Sequence, residues 1–380
     1  MTNDGANTGG RANTGDSGDS GDGGDSVERS TTRVRFPRIS PRAYEHPADR
    51  GALATLRAVP GIAPVLKAVA GMWTERGERL FALASAIRVG PKQYPKLDRL
   101  RHECAETLDL DTVPNLFVTR HPVANAFTIG IDEPFIVVTT GLLEAMDTES
   151  MRYTIGHEMG HVLSGHAVLK TLLNRLLRLQ MTVSWVPIGA LGLRAVIAAL
   201  LEWYRKAELT GDRAGLLCGQ DPAAALRLHL YLAGGTGPGE IDVSSFLEQA
   251  KEYEQVDDVR DSILKLMTVE HMSHPFAVVR AAELQRWAAS EDYRAILSGQ
   301  YQRRDDEDPS GSFMDDLRSA AKSYQDSWST SGDPLIKVFG NVGEAVSGAA
   351  GKVFSRFGGR AAGGSGEQGG SDEANGTPAG

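Results

Sequence analysis

The sequence predicts an α+β fold that is mostly helical and contains one short β-sheet. Apolar residues recur at helical spacing from Pro47 to about Asp111, and again from Asp147 to about Ser290. Between these helical parts, three short runs rich in β-branched and aromatic residues are separated by turn signals, which is typical of strands. We therefore expect a small sheet with helices before and after it in the chain.

The elements follow in chain order. The first helical part is rich in Ala, Leu, Arg and Glu and is interrupted by prolines. The apolar runs at 115–119, 126–131 and 135–138 then predict three strands that pair in chain order as a β-meander. Asp147 is a suitable N-cap for the next helix, because its carboxylate can accept a hydrogen bond from a free backbone N–H.

The composition excludes some classes of protein. The 380 residues carry a net charge of −9 and no basic stripe dominates any segment, which argues against nucleic acid as the main partner. Two distant cysteines, Cys104 and Cys218, exclude a disulfide scaffold and a Cys-rich zinc module, so we expect both to be small buried hydrophobes. The N-terminal residues lack the pattern of a secretory signal, so we expect a cytoplasmic protein.

A metal-binding pattern lies within the helix after Asp147. His157 and His161 are four residues apart, so they share one helix face and both imidazoles can bind a single tetrahedral zinc ion. Glu158 lies beside that face, where it can take a proton from the attacking water and return it to a leaving amine. Gly156 and Gly160 each cost a helix about 1 kcal/mol relative to Ala, which favours a close approach by another backbone or a metal.

The expected spacing of a third metal ligand on the same helix is not met. A third histidine ten residues after His157 would complete a site, but position 167 is Ala. His166 is off by one residue and is better explained as a surface histidine or as one that supports a ligand. The alternative is a carboxylate from a separate helix.

Glu208 and Asp212 offer that carboxylate. They lie one turn apart, so Glu208 could complete a site of two histidines and one glutamate while Asp212 accepts the free N–H of a ligand histidine. Taken alone, the pair is better explained as an acidic pair on a solvated face, because basic residues flank it: Arg205, Lys206 and Arg213.

The motifs together resemble a known family. HEMGH at 157–161 followed by ELTGD at 208–212 is similar to the gluzincin zinc metallopeptidases of the HtpX-like and CAAX prenyl endopeptidase family. Asn125 ahead of the last strand, and Ser273-His274-Pro275 with Arg280 five residues after the proline, match further segments of that family.

The resemblance implies a zincin-like metallopeptidase domain with the sheet against the HExxH helix. It implies one Zn²⁺ per chain held by His157, His161 and Glu208, and Glu158 as the general base. Asn125 would help to bind substrate or the oxyanion, and His274 would donate a hydrogen bond to the tetrahedral intermediate. His271 is an alternative to His274 in this role.

The expected reaction is hydrolysis of peptide bonds. An extended substrate would add as a strand to the exposed sheet edge, and main-chain pairing favours unfolded or misfolded polypeptides over one particular sequence. One alternative is a non-hydrolytic zinc module that binds misfolded chains as a holdase or adaptor, although the intact Glu158 argues against it. Another is a processing peptidase of narrow specificity.

The chain divides into five expected segments. Both ends are rich in Gly and poor in apolar residues, so they cannot offset the entropy of ordering. The segments are a disordered Gly/Asp/Ser-rich tail (1–32), a helical lead-in (33–110), the catalytic domain (111–300), a polar segment with an amphipathic C-terminal helix (301–357), and a disordered Gly-rich tail (358–380).

Two segments raise the question of a membrane. The run 182–201 is apolar and about as long as a span requires, but it contains Pro187 and Arg194, so we expect a buried or interfacial helical hairpin. The segment 334–357 predicts an amphipathic helix that either packs on the catalytic domain or docks on an anionic inner membrane face. Peripheral association with that face is therefore a further expectation.

Overall fold

The computed structural model describes residues 33–58, 62–72, 75–183, 187–234, 240–255 and 276–306. Both predicted tails, the amphipathic segment 334–357, and the two candidates His271 and His274 lie outside the described residues.

The N-terminal part is helical, as predicted, but it also contributes a strand. Its elements are a 3₁₀ turn (Pro41–Ala43), α1 (Pro47–Ala58), α2 (Ile62–Met72), α3 (Glu75–Ser85), β1 (Ile87–Arg88) and α4 (Pro95–Thr107). Pro47 and Pro95 each occupy the first position of a helix, where a missing N–H costs nothing. The sequence prediction missed β1, because two residues are too few to show alternation.

The sheet contains the three predicted strands, but their order is not that of a meander. The strands are β2 (Leu116–Thr119), β3 (Ala126–Ile129) and β4 (Phe135–Thr139), and the sheet order is β1-β2-β4-β3. β4 is parallel to β2 and antiparallel to β3. The predicted meander is wrong because every residue of β4 is buried, and a fully buried strand takes a central position. This places β3 at an edge of the sheet.

Helices dominate the remainder, as predicted. They are α5 (Thr140–Ala145), α6 (Thr148–Leu163), α7 (His166–Val183), α8 (Pro187–Gly219), α9 (Pro222–Leu232), α10 (Val243–Gln255), α11 (Ala277–Ala288) and α12 (Glu291–Leu297). A 3₁₀ turn, Arg304–Asp306, follows. Asp147 is the N-cap of α6, since its Oδ1 accepts from the backbone N of Ser150 at 2.7 Å. The predicted α+β class is confirmed.

The apolar run 182–201 is divided between the end of α7 and the start of α8. Val196, Ile197 and Leu200 are buried in one core cluster with Leu173 and Leu176 of α7. Among the helices that the structure describes, none is both long and apolar enough to cross a membrane. The run therefore contributes to the core between two packed helices. Cys104 and Cys218 are both buried and free, as predicted.

Helices α6 and α8 cross at small residues. A Cβ placed on Gly160 would lie 2.3 Å from the Cβ of Ala214, and one on Gly156 would lie 2.4 Å from the Cβ of Cys218. From the side of α8, a Cβ on Gly215 would lie 2.7 Å from the carbonyl oxygen of Tyr153. The two helical glycines in the HExxH segment therefore permit a helix contact, which was one of the two reasons predicted for them.

We expect Gly160→Ala to destabilise the protein by about 1–3 kcal/mol, because the added methyl group overpacks a contact between two helices. Gly71→Ala in α2 is the matched control, since a Cβ there meets no atom within 4 Å. The control should leave the free energy of unfolding in urea unchanged or slightly higher. Equal stability of the two variants would contradict the assigned helix contact.

Candidate metal centre and active site

His157 and His161 meet on the face of α6 that is turned towards α8. Their Nε2 atoms lie 3.0 Å apart, and both side chains are buried. The four-residue spacing explains this geometry, because each helical turn returns the side chain to the same face. The structure therefore brings together the two imidazoles that the sequence predicted as ligands.

Glu208 approaches both histidines from α8. Its Oε2 lies 3.4 Å from His157 Nε2, and its Oε1 lies 3.2 Å from His161 Nε2. Ligand atoms of all three residues lie within 4.8 Å of one another. Glu208 is fully buried, so the alternative of a solvated acidic pair is excluded by the structure.

The chemistry of this group fits a cation. Neither buried carboxylate oxygen of Glu208 accepts a well-aligned hydrogen bond, although Lys170 and Arg280 form ion pairs with them, so the lone pairs that face the two imidazoles remain available to a metal ion. Burial alone would lower the pKa of His157, yet Glu208 and Asp212 raise it to about 9. Burial and the nearby Lys170 instead lower the pKa of His161 to about 3, so its imidazole is neutral and its Nε2 can bind a cation.

Asp212 orients the first histidine. Its Oδ1 lies 3.1 Å from His157 Nδ1, and it also accepts a hydrogen bond from the hydroxyl of Tyr153 at 2.8 Å. Arg280 of α11 donates to both oxygens of Asp212, at 2.6 and 2.8 Å. This arrangement suits a proton on Nδ1 of His157 and leaves Nε2 free to bind a metal.

Two further side chains support Asp212, and the sequence analysis did not identify this role for either of them. Tyr153 lies four residues before His157 on the same helix face, so its spacing could have revealed it. His229 of α9 is fully buried, and its Nε2 lies 3.1 Å from the Tyr153 hydroxyl. No local pattern connects His229 to the motif, because it lies on a different helix.

Glu158 is held beside the histidines by groups from two other elements. Thr128 of the edge strand β3 donates to its Oε2 at 2.7 Å, and Lys170 Nζ of α7 lies 3.7 Å from the same atom. Burial alone would raise the pKa of Glu158, but Lys170 and the two histidines lower it to about 2. The carboxylate is therefore ionised and able to accept a proton.

Lys170 and Arg280 place two basic side chains among three buried carboxylates. Lys170 Nζ lies 3.5 Å from Glu208 Oε1, and Arg280 Nη1 lies 3.0 Å from Glu208 Oε2. Despite burial, these cations hold the pKa of Glu208 well below its usual value, and Arg280 does the same for Asp212. Lys170 was missed in the sequence, although a lone lysine inside the apolar stretch 167–173 was a signal.

A cavity of about 20 Å³, roughly the space of one water molecule, opens beside Glu158. Asn125, immediately before β3, lines it together with His157 and Arg280. The Oδ1 atom of Asn125 is buried without a hydrogen bond. The structure thus places Asn125 at the same cavity as Glu158. Arg280, which follows the Ser273-His274-Pro275 motif by five residues, also lines this cavity, and the motif itself lies outside the described residues.

Two imidazoles and a carboxylate from a second helix, beside a glutamate and under the edge strand of a small sheet, are the arrangement expected of a zinc metallopeptidase. Comparison with known proteins agrees: the chain belongs to peptidase family M48, whose model matches residues 91–288. The predicted family resemblance is thereby confirmed. The chain is therefore a metal-dependent hydrolase of peptide bonds.

Two kinds of relative match the chain. The plastoglobule-localized metallopeptidase 48 of Arabidopsis thaliana, a chloroplastic protein, is 35% identical over 259 residues, which cover 67% of this chain and 74% of the relative. A protease HtpX homolog of Thermoanaerobacter pseudethanolicus is 34% identical over 95 residues, covering 24% of this chain and 31% of the relative. A second HtpX homolog, from Lactobacillus acidophilus, is 28% identical over 103 residues, 27% of this chain and 34% of the relative. No solved structure matches the chain.

We expect Glu208→Ala to abolish or strongly weaken metal binding, because it removes the carboxylate that faces both imidazoles. Asp212→Ala should weaken metal affinity by a smaller factor, about 10–100-fold, because Asp212 supports His157 without binding the metal itself. Metal content after dialysis against a mild chelator measures both effects. A Glu208→Ala variant that retains one equivalent of zinc would place the third ligand elsewhere, with His166 or His274 as the next candidates.

Proposed function

We propose that this chain is a zinc-dependent endopeptidase that cleaves unfolded or misfolded polypeptides, with Glu158 as the general base. One zinc ion per chain would be held by His157, His161 and Glu208. The observation that supports this most is the convergence of their ligand atoms within 4.8 Å, beside an ionised Glu158.

The side chains around Glu158 suit the proton transfers of hydrolysis. When bound, zinc supplies polarisation of the scissile carbonyl and lowers the pKa of water towards ~7. Thr128 holds Oε2 of Glu158, so Oε1, 3.9 Å from His157 Nε2, is left to accept the proton of the attacking water. The same oxygen can then deliver that proton to the leaving amine.

The edge strand β3 offers a place for an extended substrate. Within the described sheet, β3 pairs with β4 on one side only, and Asn125 and Ala126 at its start line the cavity beside Glu158. A peptide added as a further strand would be held by main-chain hydrogen bonds, with little demand on its sequence. This supports unfolded segments as the substrate class.

Asn125 and His274 complete the proposed machinery. The amide of Asn125 faces the cavity and can contact the substrate carbonyl or the oxyanion. On the basis of the family resemblance alone, we propose that His274 also reaches this cavity and donates a hydrogen bond to the tetrahedral intermediate. His271 is the alternative residue for this role. Residues 111–300 would then form the catalytic domain.

The direct experiment pairs metal analysis with hydrolysis of casein, with and without a chelator. One zinc per chain and cleavage that the chelator abolishes would support the proposal. Zinc without cleavage of casein would favour the holdase or adaptor alternative. Cleavage restricted to one client protein would indicate a processing peptidase of narrow specificity.

We expect Glu158→Gln to keep the zinc and to lose nearly all turnover. The amide has the same shape but cannot take a proton, and general base catalysis is worth about 10²–10⁴-fold in rate. Glu144→Gln, which alters an exposed glutamate of α5, is the matched control. Turnover of Glu158→Gln within a few fold of the control would rule out Glu158 as the base.

We also propose a cytoplasmic protein that associates peripherally with the inner membrane face through the 334–357 segment; the run 182–201, the other segment considered from the sequence, contributes to the core instead. The 334–357 segment would order when its apolar face is covered, and each basic residue near an anionic surface contributes about 1 kcal/mol.

Full-length protein should therefore co-sediment with anionic vesicles more than a chain truncated after Thr330, while both retain peptidase activity. Equal sedimentation of the two chains would remove the membrane role of 334–357. A large loss of thermal stability on truncation would instead indicate packing on the catalytic domain.

A further inference from the structure

A series of buried polar side chains extends away from the metal centre, beginning at His161. His161 Nδ1 lies 3.1 Å from Nδ1 of His166, the first residue of α7. On the other side of that ring, His166 Nε2 lies 3.2 Å from Oδ2 of Asp49 in α1. All three side chains are at least 98% buried, so water does not separate them.

The protons in this chain of groups can be assigned from chemistry alone. If His161 binds a metal through Nε2, its Nδ1 carries the remaining proton and donates it to His166 Nδ1. His166 Nδ1 is then an acceptor, so the proton of a neutral His166 lies on Nε2, facing the Asp49 carboxylate. The approach of His166 Nε2 to Asp49 Oδ2 is a short contact between opposite charges or dipoles and not a well-aligned hydrogen bond, so Asp49 acts on His166 mainly through its charge.

Asp49 is itself anchored to the helix that carries Glu208. Thr210 of α8 donates to Asp49 Oδ2 at 2.6 Å, and the backbone N of His46 donates to the Thr210 hydroxyl oxygen at 3.0 Å. Oδ1 of Asp49 is buried without a hydrogen bond. A fully buried carboxylate with hydrogen bonds to only one of its oxygens lowers the stability of the fold. The presence of Asp49 therefore favours a specific role for its charge.

The segment that supplies Asp49 lies outside the part of the chain that defines the family. The family model matches residues 91–288, whereas α1 spans Pro47–Ala58. His157 has a direct carboxylate partner, Asp212, within the matched part. For His161, the carboxylate is supplied from the lead-in and acts across an intervening ring.

We propose that Asp49 and His166 are positioning residues for the metal centre, with Asp49 acting through His166 to orient His161 and strengthen its binding to zinc. The proposal rests on the ligand set given above. It makes helix α1 a working part of the metal centre, in addition to its packing role.

Glu45, Asp49 and His166 could instead form a second metal site, because one ligand atom from each of these three residues lies within 4.8 Å of the others. Two observations argue against it. Glu45 Oε2 already pairs with Arg50 Nε at 2.9 Å. His166 Nε2 must also carry a proton if its Nδ1 accepts from His161, and a protonated nitrogen does not bind a metal.

The test measures the zinc dissociation constant of the full chain by competition with a chromophoric chelator. We expect Asp49→Asn and His166→Leu each to weaken zinc binding by about 10–100-fold. Asp98→Asn is the matched control, since Asp98 is a buried aspartate of α4 paired with Arg101 at 2.6 Å. The control should keep the wild-type dissociation constant.

Two further variants separate positioning from mere packing. In a His166→Leu background, Asp49→Asn should cause no further loss of affinity, because its effect passes through the missing ring. His166→Asn should retain much of the affinity, since its amide oxygen can still accept from His161 Nδ1–H. The visible spectrum of the Co²⁺-loaded protein should change in His166→Leu and much less in His166→Asn.

Three results would contradict the positioning role of Asp49 and His166 without contradicting the proposed peptidase function. They are wild-type affinity in both single variants, losses that multiply in the double variant, and a second equivalent of zinc that disappears in Asp49→Asn. Absence of zinc from the wild-type protein would instead contradict this positioning role and the proposed function together.

Discussion

The close contact between helices α6 and α8 is the constraint on which the site depends. Glu208 lies about 50 residues from the histidines in the chain, and its carboxylate reaches both imidazoles because small residues let the helix backbones approach. A Cβ on Gly211 would lie 2.7 Å from Cε1 of His157, so even the orientation of that ring requires a glycine opposite it. The glycines therefore set the geometry that the ligands use.

The second feature is a dense group of buried charges held in fixed positions. Taking Glu158, Glu208 and Asp212 out of water is expensive, and their pairing with Lys170 and Arg280 offsets part of that cost. Replacing such a network with apolar groups often raises stability, so its value lies in function rather than in folding. Donors and acceptors held in this way need no rearrangement when charge develops during the reaction.

The sequence predicts the local parts of this structure and misses those that depend on packing at a distance. Helical spacing was enough to predict that His157 and His161 share one helix face and that Glu208 and Asp212 share another, because residues four apart lie one turn apart on any α-helix. The sheet order could not be predicted, because burial of the whole of β4 decides it. Thr128 and Lys170, which hold Glu158, lie on other elements. The lone lysine in an apolar stretch indicated a buried charge, but the local sequence did not show which carboxylate it would meet.

The proposed function requires one zinc ion at the crossing of α6 and α8. Anomalous diffraction from crystals of the zinc-loaded protein, recorded above and below the zinc absorption edge, locates the ion directly. We expect a single strong anomalous peak that is coordinated by His157 Nε2, His161 Nε2 and the carboxylate of Glu208. A peak among Glu45, Asp49 and His166, or an ion at the histidines without Glu208, would contradict it.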